Sequence, residues 1–419
     1  MSMHSGGRLP PSPEGNGPRR LPSVDWLALA REREDELVAF ARRLIATPSM
    51  PGDEGAVAAL VQEEMRRLDY DEVRADELGN VIGVISGRGS GRSVMLNTHL
   101  DHVSPGDLAL WTDPPFSAAV HDGAIYGRGA VDIKGPTACQ VHAGGLLRAA
   151  GLRPPGDLYV VGAVLEECGG LGSKHLARTV RADCAVVGEP SANTLRRGHR
   201  GRVGLVAEVR GRAAHASVPH RAINPHYALA AFLCRLRDVP LRAQEPFGTS
   251  SVAPTLYGTD TTSSNVIPST AQVYLDWRNV PAESPEEALA ALRPLLHEAL
   301  PPGATGDVRI DVYDLTTYTG IQDAFPSIFP SFLLEEDNPL LLAARRTLED
   351  MFGRPFPPGI WGFATDGGHL MAAGIPTIGF GPGDEAQAHV VDERIEIAQL
   401  VEALAANAAL VQALSAATG

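Results

Sequence analysis

Lysine is nearly missing from this chain. Lys134 and Lys174 are the two lysines among 419 residues, and arginine carries the rest of 36 cationic side chains against 50 acidic ones. The formal net charge of −14 argues against a surface built to neutralise phosphates, so no nucleic-acid partner is expected. It also disfavours anionic membrane surfaces. Cysteine is scarce: Cys139, Cys168, Cys184 and Cys234 lie far apart and form no CxxC pair. They suit reduced, mostly buried thiols of a cytoplasmic protein, not a disulfide framework. Aromatics make up only 5%, which leaves the core to Ala, Leu and Val. No run approaches the ~18 apolar residues that a spanning helix needs. Residues 1–22 offer no apolar stretch of the signal-peptide kind; rich in Pro and Gly, they read as a disordered tail. The GxSxG elbow, the GxxxxGK phosphate loop, the GxGxxG fingerprint and the HExxH helix are all absent. Serine hydrolases, P-loop NTPases and ordinary dinucleotide enzymes are disfavoured accordingly.

What is present is length for two or three domains and, at 44% hydrophobic residues, enough apolar side chain for a sizeable core. Apolar runs alternate with helical stretches: VMLN (94–97), a helix over 135–150, LYVVGAVL (158–165), a helix over 173–180, and AVVG (185–188). That β-α-β-α order predicts an α/β fold with a mostly parallel sheet and helices on both faces. The texture changes near 200. VGLVAEVRG (203–211) alternates like an antiparallel strand, and a helix from 224, a strand over 271–280, a helix from 285 and a strand over 308–315 follow. Together they suggest a β-α-β-β-α-β, ferredoxin-like α+β unit. The predicted organisation is one α/β domain over 23–198 and 316–419, interrupted by an inserted domain over 199–315.

The chemistry-bearing residues come just after apolar strands. VMLN runs into His99 and Asp101, LYVVGAVL into Glu166 and Glu167, AVVG into Glu189, and PTIGFG through a glycine-rich loop to His389. Strands of an open parallel sheet bring their carboxyl ends to one edge, where ligand sites form. Asp132, in GRGAVDIKG at the mouth of the 135–150 helix, joins them. A set of His, Asp and Glu donors suits Zn²⁺, with Co²⁺ or Mn²⁺ also accepted. Two neighbouring cations need a bridging carboxylate and can share a hydroxide. On an extended strand end Glu166 and Glu167 face opposite ways, so one can bind metal while the other acts as general base. Isolated histidines such as His102, His121, His142, His175 and His226 read as structural, and an EE pair alone reads as solvated charge.

These segments resemble the M20 metallopeptidase and deacylase family. Its signatures are matched by His99-Leu100-Asp101-His102-Val103, by Gly127 to Gly135, by Glu166-Glu167, by Val187-Gly188-Glu189-Pro190, and by Gly381-Pro382-Gly383 followed by His389. Arg197 to Arg202 and Gly379 to Gly383 look closest to the acetylornithine deacetylase and succinyl-diaminopimelate desuccinylase branch. The resemblance implies a di-zinc peptidase-like catalytic domain in which Asp132 bridges two metals. His99 and Glu189 would complete one site, Glu167 and His389 the other. Glu166 would be the general base, and Asp101 would hold the His99 imidazole from behind. The inserted domain would act as lid and dimerisation platform of a homodimer. His215 in GRAAHASVPH would stabilise an oxyanion, commonly in the partner's site. Asn265, Arg278 and the backbone N–H groups of Gly381 and Gly383 would hold the substrate carboxylate. Ile133 departs from the Asp or Met of many relatives. His102 is an unusual neighbour and reads as a surface residue, and Thr365-Asp366 resembles a segment near the cleft. The implied activity is hydrolysis of an N-acyl amino acid. A dipeptidase or carboxypeptidase acting on a short peptide is the alternative, and a non-catalytic metal-binding relative is a third.

Overall fold

The computed structural model describes residues 24–416; the tail expected over 1–22 lies outside them. The predicted apolar strands form the centre of a sheet. Val94–His99 pairs in parallel with Leu158–Ala163 on one side and Cys184–Val187 on the other, and Thr377–Gly379 extends the parallel run. These strands are buried on both faces. Val94, Leu96, Val160 and Val186 point into one core, and Met95, Val161, Ala185 and Val187 into the opposite one. Strands enclosed in this way read as continuous apolar runs, not as alternation.

The first core is closed by the helices Glu34–Ile45, Gly55–Arg67, Gly135–Ala149, Pro339–Phe352 and Ile397–Ala416. The second is closed by Leu171–Thr179 and Gly367–Ala372. The parallel pattern holds for the centre of the sheet, while its flanks bring antiparallel pairs: Glu72–Ala75 and Val81–Ile85 at one edge, Arg196–His199 and Phe332–Leu333 at the other, where Gly359–Trp361 joins Arg196–His199 in parallel. Connection length explains the first edge. Residues 76–80 form a tight turn in which Asp76 Oδ1 accepts from the N–H groups of Leu78, Gly79 and Asn80. Such a turn cannot make the long crossover that parallel strands require.

One expectation is corrected by the last helix. By length and composition Ile397–Ala416 is apolar enough to cross a membrane. It packs against the helices Trp26–Arg31, Gly135–Ala149 and Pro339–Phe352, and a helix surrounded on most sides needs no polar stripe. The thiols also differ in part from expectation: Cys139 and Cys184 are buried, but Cys234 is exposed.

The β-α-β-β-α-β segment builds a second sheet in the order Ser251–Thr259, Thr270–Arg278, Arg202–Arg210, Thr305–Ile310, antiparallel throughout. Pro225–Arg235 and Pro285–Ala299 cover it, around a core of its own that contains Leu205, Val273, Trp277 and Leu292. Thr270–Arg278 alternates buried and half-buried residues along its length. Ser251–Thr259 has no such alternation to read. It is an exposed edge strand carrying Pro254, with a bulge after it, and an edge is where a strand proline is tolerated. The strand expected over 308–315 breaks after Ile310. Val312–Thr316 turns away to pair with Gln322–Pro326, so this hairpin runs across residues 315 and 316.

Two strands of the main sheet stay in contact beyond their ends, and glycine makes that possible. A Cβ on Gly381 would lie 2.2 Å from the Gly188 carbonyl oxygen and 2.5 Å from that of Glu189. Gly381→Ala is therefore expected to cost about 1–3 kcal/mol, as overpacking does. Gly362→Ala, with nothing near its Cβ, should stay within about 0.5 kcal/mol of the parent. Urea denaturation of the two variants checks this, and equal midpoints would refute the close-approach argument.

Candidate metal centre

His99 is the last residue of its strand, and Glu189 follows the end of Cys184–Val187 by two positions. Asp132 is carried on the loop before the helix Gly135–Ala149, where Gly129 takes a left-handed φ of 80° that favours glycine. His389 arrives on a long loop anchored by Asp392, whose carboxylate accepts from the N–H and hydroxyl of Thr112, both at 2.8 Å.

The donor atoms converge. His99 Nε2 lies 3.0 Å from Asp132 Oδ1 and 3.7 Å from Glu189 Oε1. His389 Nε2 lies 3.1 Å from Asp132 Oδ2 and 3.1 Å from Glu167 Oε1. Asp132 thus gives one oxygen to each side, and two triads share it: His99, Asp132, Glu189 and Asp132, Glu167, His389. Within each triad the donor atoms lie within 4.8 Å of one another. Glu166 belongs to neither triad, with its Oε2 4.0 Å from His99 Nε2. One nitrogen and two oxygens per triad is a fitting donor set for Zn²⁺, Co²⁺ or Mn²⁺.

The electrostatics point the same way. Among the described residues the ion-pair partners of Asp132, Glu166, Glu167 and Glu189 are histidines, with no Lys or Arg in contact. Burial pushes Glu166 and Glu189 well above the usual carboxylate range and raises Glu167 as well. For Asp132 burial acts upward too, but its hydrogen bonds with His389 and His99 prevail and hold it low. Those with Asp132 and Glu167 raise His389 to about 10. His99 is opposed by burial, yet Asp101 and Asp132 raise it well above its ordinary value. Carboxylates gathered this closely around two imidazoles, with no arginine or lysine in ion-pair contact among the described residues, favour positive charge between them.

Asp101 organises this edge. Its carbonyl oxygen lies 3.0 Å and its carboxylate 3.3 Å from His99 Nδ1, which leaves Nε2 facing Asp132. The same carboxylate accepts the N–H groups of Glu166 at 3.1 Å and Glu167 at 3.0 Å. The glutamate pair therefore does not sit on an extended strand end as expected. The strand stops at Ala163, Leu165 turns at φ 60°, and Asp101 pins the turn that separates the two side chains.

Sequence reasoning missed the supports Glu393 and Glu54 and placed His102 wrongly. Glu393 is fully buried; its Oε1 accepts the N–H groups of Val131 at 2.8 Å and Asp132 at 3.1 Å, and its other oxygen meets Arg128. Burial pushes its carboxyl up to about 7. In the segment DERIE it reads as surface charge, and no local pattern distinguishes it. Glu54, also buried, accepts from the Leu165 N–H at 3.2 Å. His102, expected at the surface, is fully buried and accepts the Ser49 N–H at 2.9 Å through Nε2. Asp366 is buried and accepts from the Ser173 hydroxyl at 2.6 Å, and burial raises it to about 7.

The cleft over the triads holds about 330 Å³. Arg278 lines it together with Asp132, Glu166, Glu167 and Glu189. Gly381 and Gly383 do not serve as expected. The Gly381 N–H is given to Ser191 Oγ at 3.0 Å and the Gly383 N–H to Gln399 Oε1 at 2.7 Å, so neither is free for a substrate carboxylate. His215 and Asn265 sit together on a small ribbon of the inserted domain, where His215 pairs with Val266. Both are exposed, and neither lines the cleft of their own chain.

The model of peptidase family M20/M25/M40 matches residues 95–413. The uncharacterized protein YgeY of Escherichia coli (strain K12) is 31% identical over 402 residues, covering 94% of this chain and 98% of its own. A succinyl-diaminopimelate desuccinylase of Bradyrhizobium sp. (strain BTAi1) is 30% identical over 385 residues, 87% of this chain and 95% of its own. Among solved structures, the di-peptidase Dug1p of Saccharomyces cerevisiae superposes with a TM-score of 0.74 at 13% identity, covering 94% of this chain and 99% of that one. A dinuclear metal-binding M20 peptidase of Bacillus subtilis does so with 0.68 at 17%, covering 91% and 98%. At such identities the likeness is one of fold. With a family model spanning most of the chain and a full-length relative above 30% identity, this chain belongs to peptidase family M20/M25/M40.

Proposed function

We propose that this metal-dependent amide hydrolase is dinuclear and cleaves the amide bond of an N-acyl amino acid. The observation that carries the reading is the pair of triads sharing Asp132, with Glu166 beside them and committed to neither. His99, Asp132 and Glu189 would hold one divalent ion, Asp132, Glu167 and His389 the other, with Zn²⁺ the best match to the donors. Such a pair supplies Lewis acidity, which makes water a competent nucleophile near neutral pH and polarises an amide carbonyl.

The chain's own residues do the rest. Glu166, whose proton affinity burial raises, takes the proton of the attacking water and passes it to the leaving amine. Asp101 keeps His99 Nε2 directed at the centre. Arg278, on the cleft wall, receives the substrate carboxylate. The inserted domain over 199–315 serves as lid and dimerisation surface on the catalytic domain over 23–198 and 316–419. Because His215 and Asn265 are exposed away from their own cleft, they complete the partner's site in a homodimer, where His215 steadies the oxyanion. A cytoplasmic setting fits the free thiols.

The test is a panel of N-acetyl, N-succinyl, N-carbamoyl and aminoacyl derivatives of methionine, ornithine and diaminopimelate, assayed with added Zn²⁺, Co²⁺ or Mn²⁺. Turnover of dipeptides alone would favour the dipeptidase reading. Glu166→Ala should keep its metal and lose about 10²–10⁴-fold in kcat; a loss of only a few fold would remove Glu166 from the base role. Zinc binding should release protons, because His99 and His389 must become neutral to ligate, and affinity should climb with rising pH. Calorimetry in buffers of different ionisation heat measures this, and zero proton release would contradict the assignment. His215→Ala and Glu166→Ala, each nearly inactive, should regain activity when mixed and allowed to exchange subunits. Absence of recovery in a verified mixed dimer would place His215 outside the partner's site.

A further inference from the structure

The mechanism above leaves Arg202 without a role, although it lines the cleft with Arg278 and the carboxylates of both triads. The two arginines arrive there through strand register. Val203 pairs with Trp277 on adjacent antiparallel strands, so Arg202 and Arg278 emerge side by side at the same end of the inserted sheet. Like charges facing each other across strands repel, and here one carboxylate stands between them. Asp276 Oδ1 accepts Arg278 Nε at 2.6 Å, while Oδ2 accepts Arg278 Nη2 at 3.2 Å and Arg202 Nε at 2.9 Å.

One acid cannot neutralise two guanidiniums, so a positive charge is left over on the cleft wall. Glu385, also on the lining, lies 3.8 Å from Arg196, which takes up its charge. Each guanidinium has five N–H donors; Asp276 occupies one on Arg202 and two on Arg278, and the Tyr313 hydroxyl engages Arg202 as well. Donors therefore remain on two adjacent forks opposite the triads, and the anion they suit best is a planar carboxylate.

Resting on the deacylase reading, we infer that Arg202 is a specificity-determining residue: with Arg278, and held by Asp276, it forms a two-guanidinium clamp for one substrate carboxylate. The substrates would then be acids, and their carboxamides would be rejected. A neutral amide pairs poorly with two cations and leaves the surplus charge uncompensated.

The experiment compares kcat/KM of the zinc-loaded enzyme for the best substrate of the panel and for its carboxamide. In Arg202→Gln the preference for the acid should fall about ten- to a hundredfold, mainly through KM, the scale of one charged hydrogen bond. Arg202→Lys should retain part of it. Because both arginines grip one group, Arg202→Gln combined with Arg278→Gln should lose less than the product of the single losses. An unchanged preference, or equal losses on acid and amide, would overturn the clamp while leaving the hydrolase reading intact. If the parent enzyme hydrolyses nothing on the panel, that reading fails instead. The clamp is then judged by calorimetric binding of N-acetyl-L-methionine and N-acetyl-L-methioninamide, where equal affinities would overturn it.

Discussion

The centre depends on Asp132 having two oxygens and using them on different histidines. One faces His99, the other His389, and every other donor is arranged around that division. Glu189 closes the first side and Glu167 the second. Four carboxylates gathered in one pocket without a contacting Lys or Arg form a charge deficit that folding alone would not tolerate. The imidazoles of His99 and His389 sit between these carboxylates, a donor set that divalent cations fit. Where Asp132 sits therefore decides whether one site, two sites or none can form.

Its position is imposed from behind. Glu393 takes the N–H groups of Val131 and Asp132 and ties them to Arg128, so the loop bearing the shared carboxylate is fixed by a second, buried carboxylate. Asp101 does the same on the other side, orienting His99 and pinning the turn of Glu166 and Glu167 through two N–H groups. Outer groups of this kind set ring orientation and ligand placement as firmly as the ligands themselves. They also explain why one of two adjacent glutamates is drawn into a triad while the other stays uncommitted.

The two sheets divide the labour. The main sheet gathers the acidic and imidazole donors at its strand ends, as open α/β sheets do. The inserted sheet brings arginines to the facing wall. The cleft is thus lined by carboxylates and imidazole from the first sheet and by Arg202 and Arg278 from the second. The basic side of this lining is arginine, in a chain with almost no lysine, and the two guanidiniums share the Asp276 carboxylate.

Much of this was legible in the chain. His99 at a strand end, Glu166, Glu167 and Glu189 shortly after strands, and the loop residues Asp132 and His389 are local in sequence pattern, because apolar strand cores and the polar residues after them obey short-range rules of burial and period. The β-α-β-β-α-β insertion was legible for the same reason, except for its edge strand Ser251–Thr259, whose exposure removes the alternation that periodicity needs. What only the tertiary structure decided are contacts between distant segments. Glu393 looks like surface charge until the loop of Asp132 closes over it, and His102 looks exposed until Ser49 caps its ring. The glycines at 381 and 383 look like open N–H donors until Ser191 and Gln399 claim them. Hydrogen-bond partners and burial are properties of packing, and no window of sequence contains both members of such pairs.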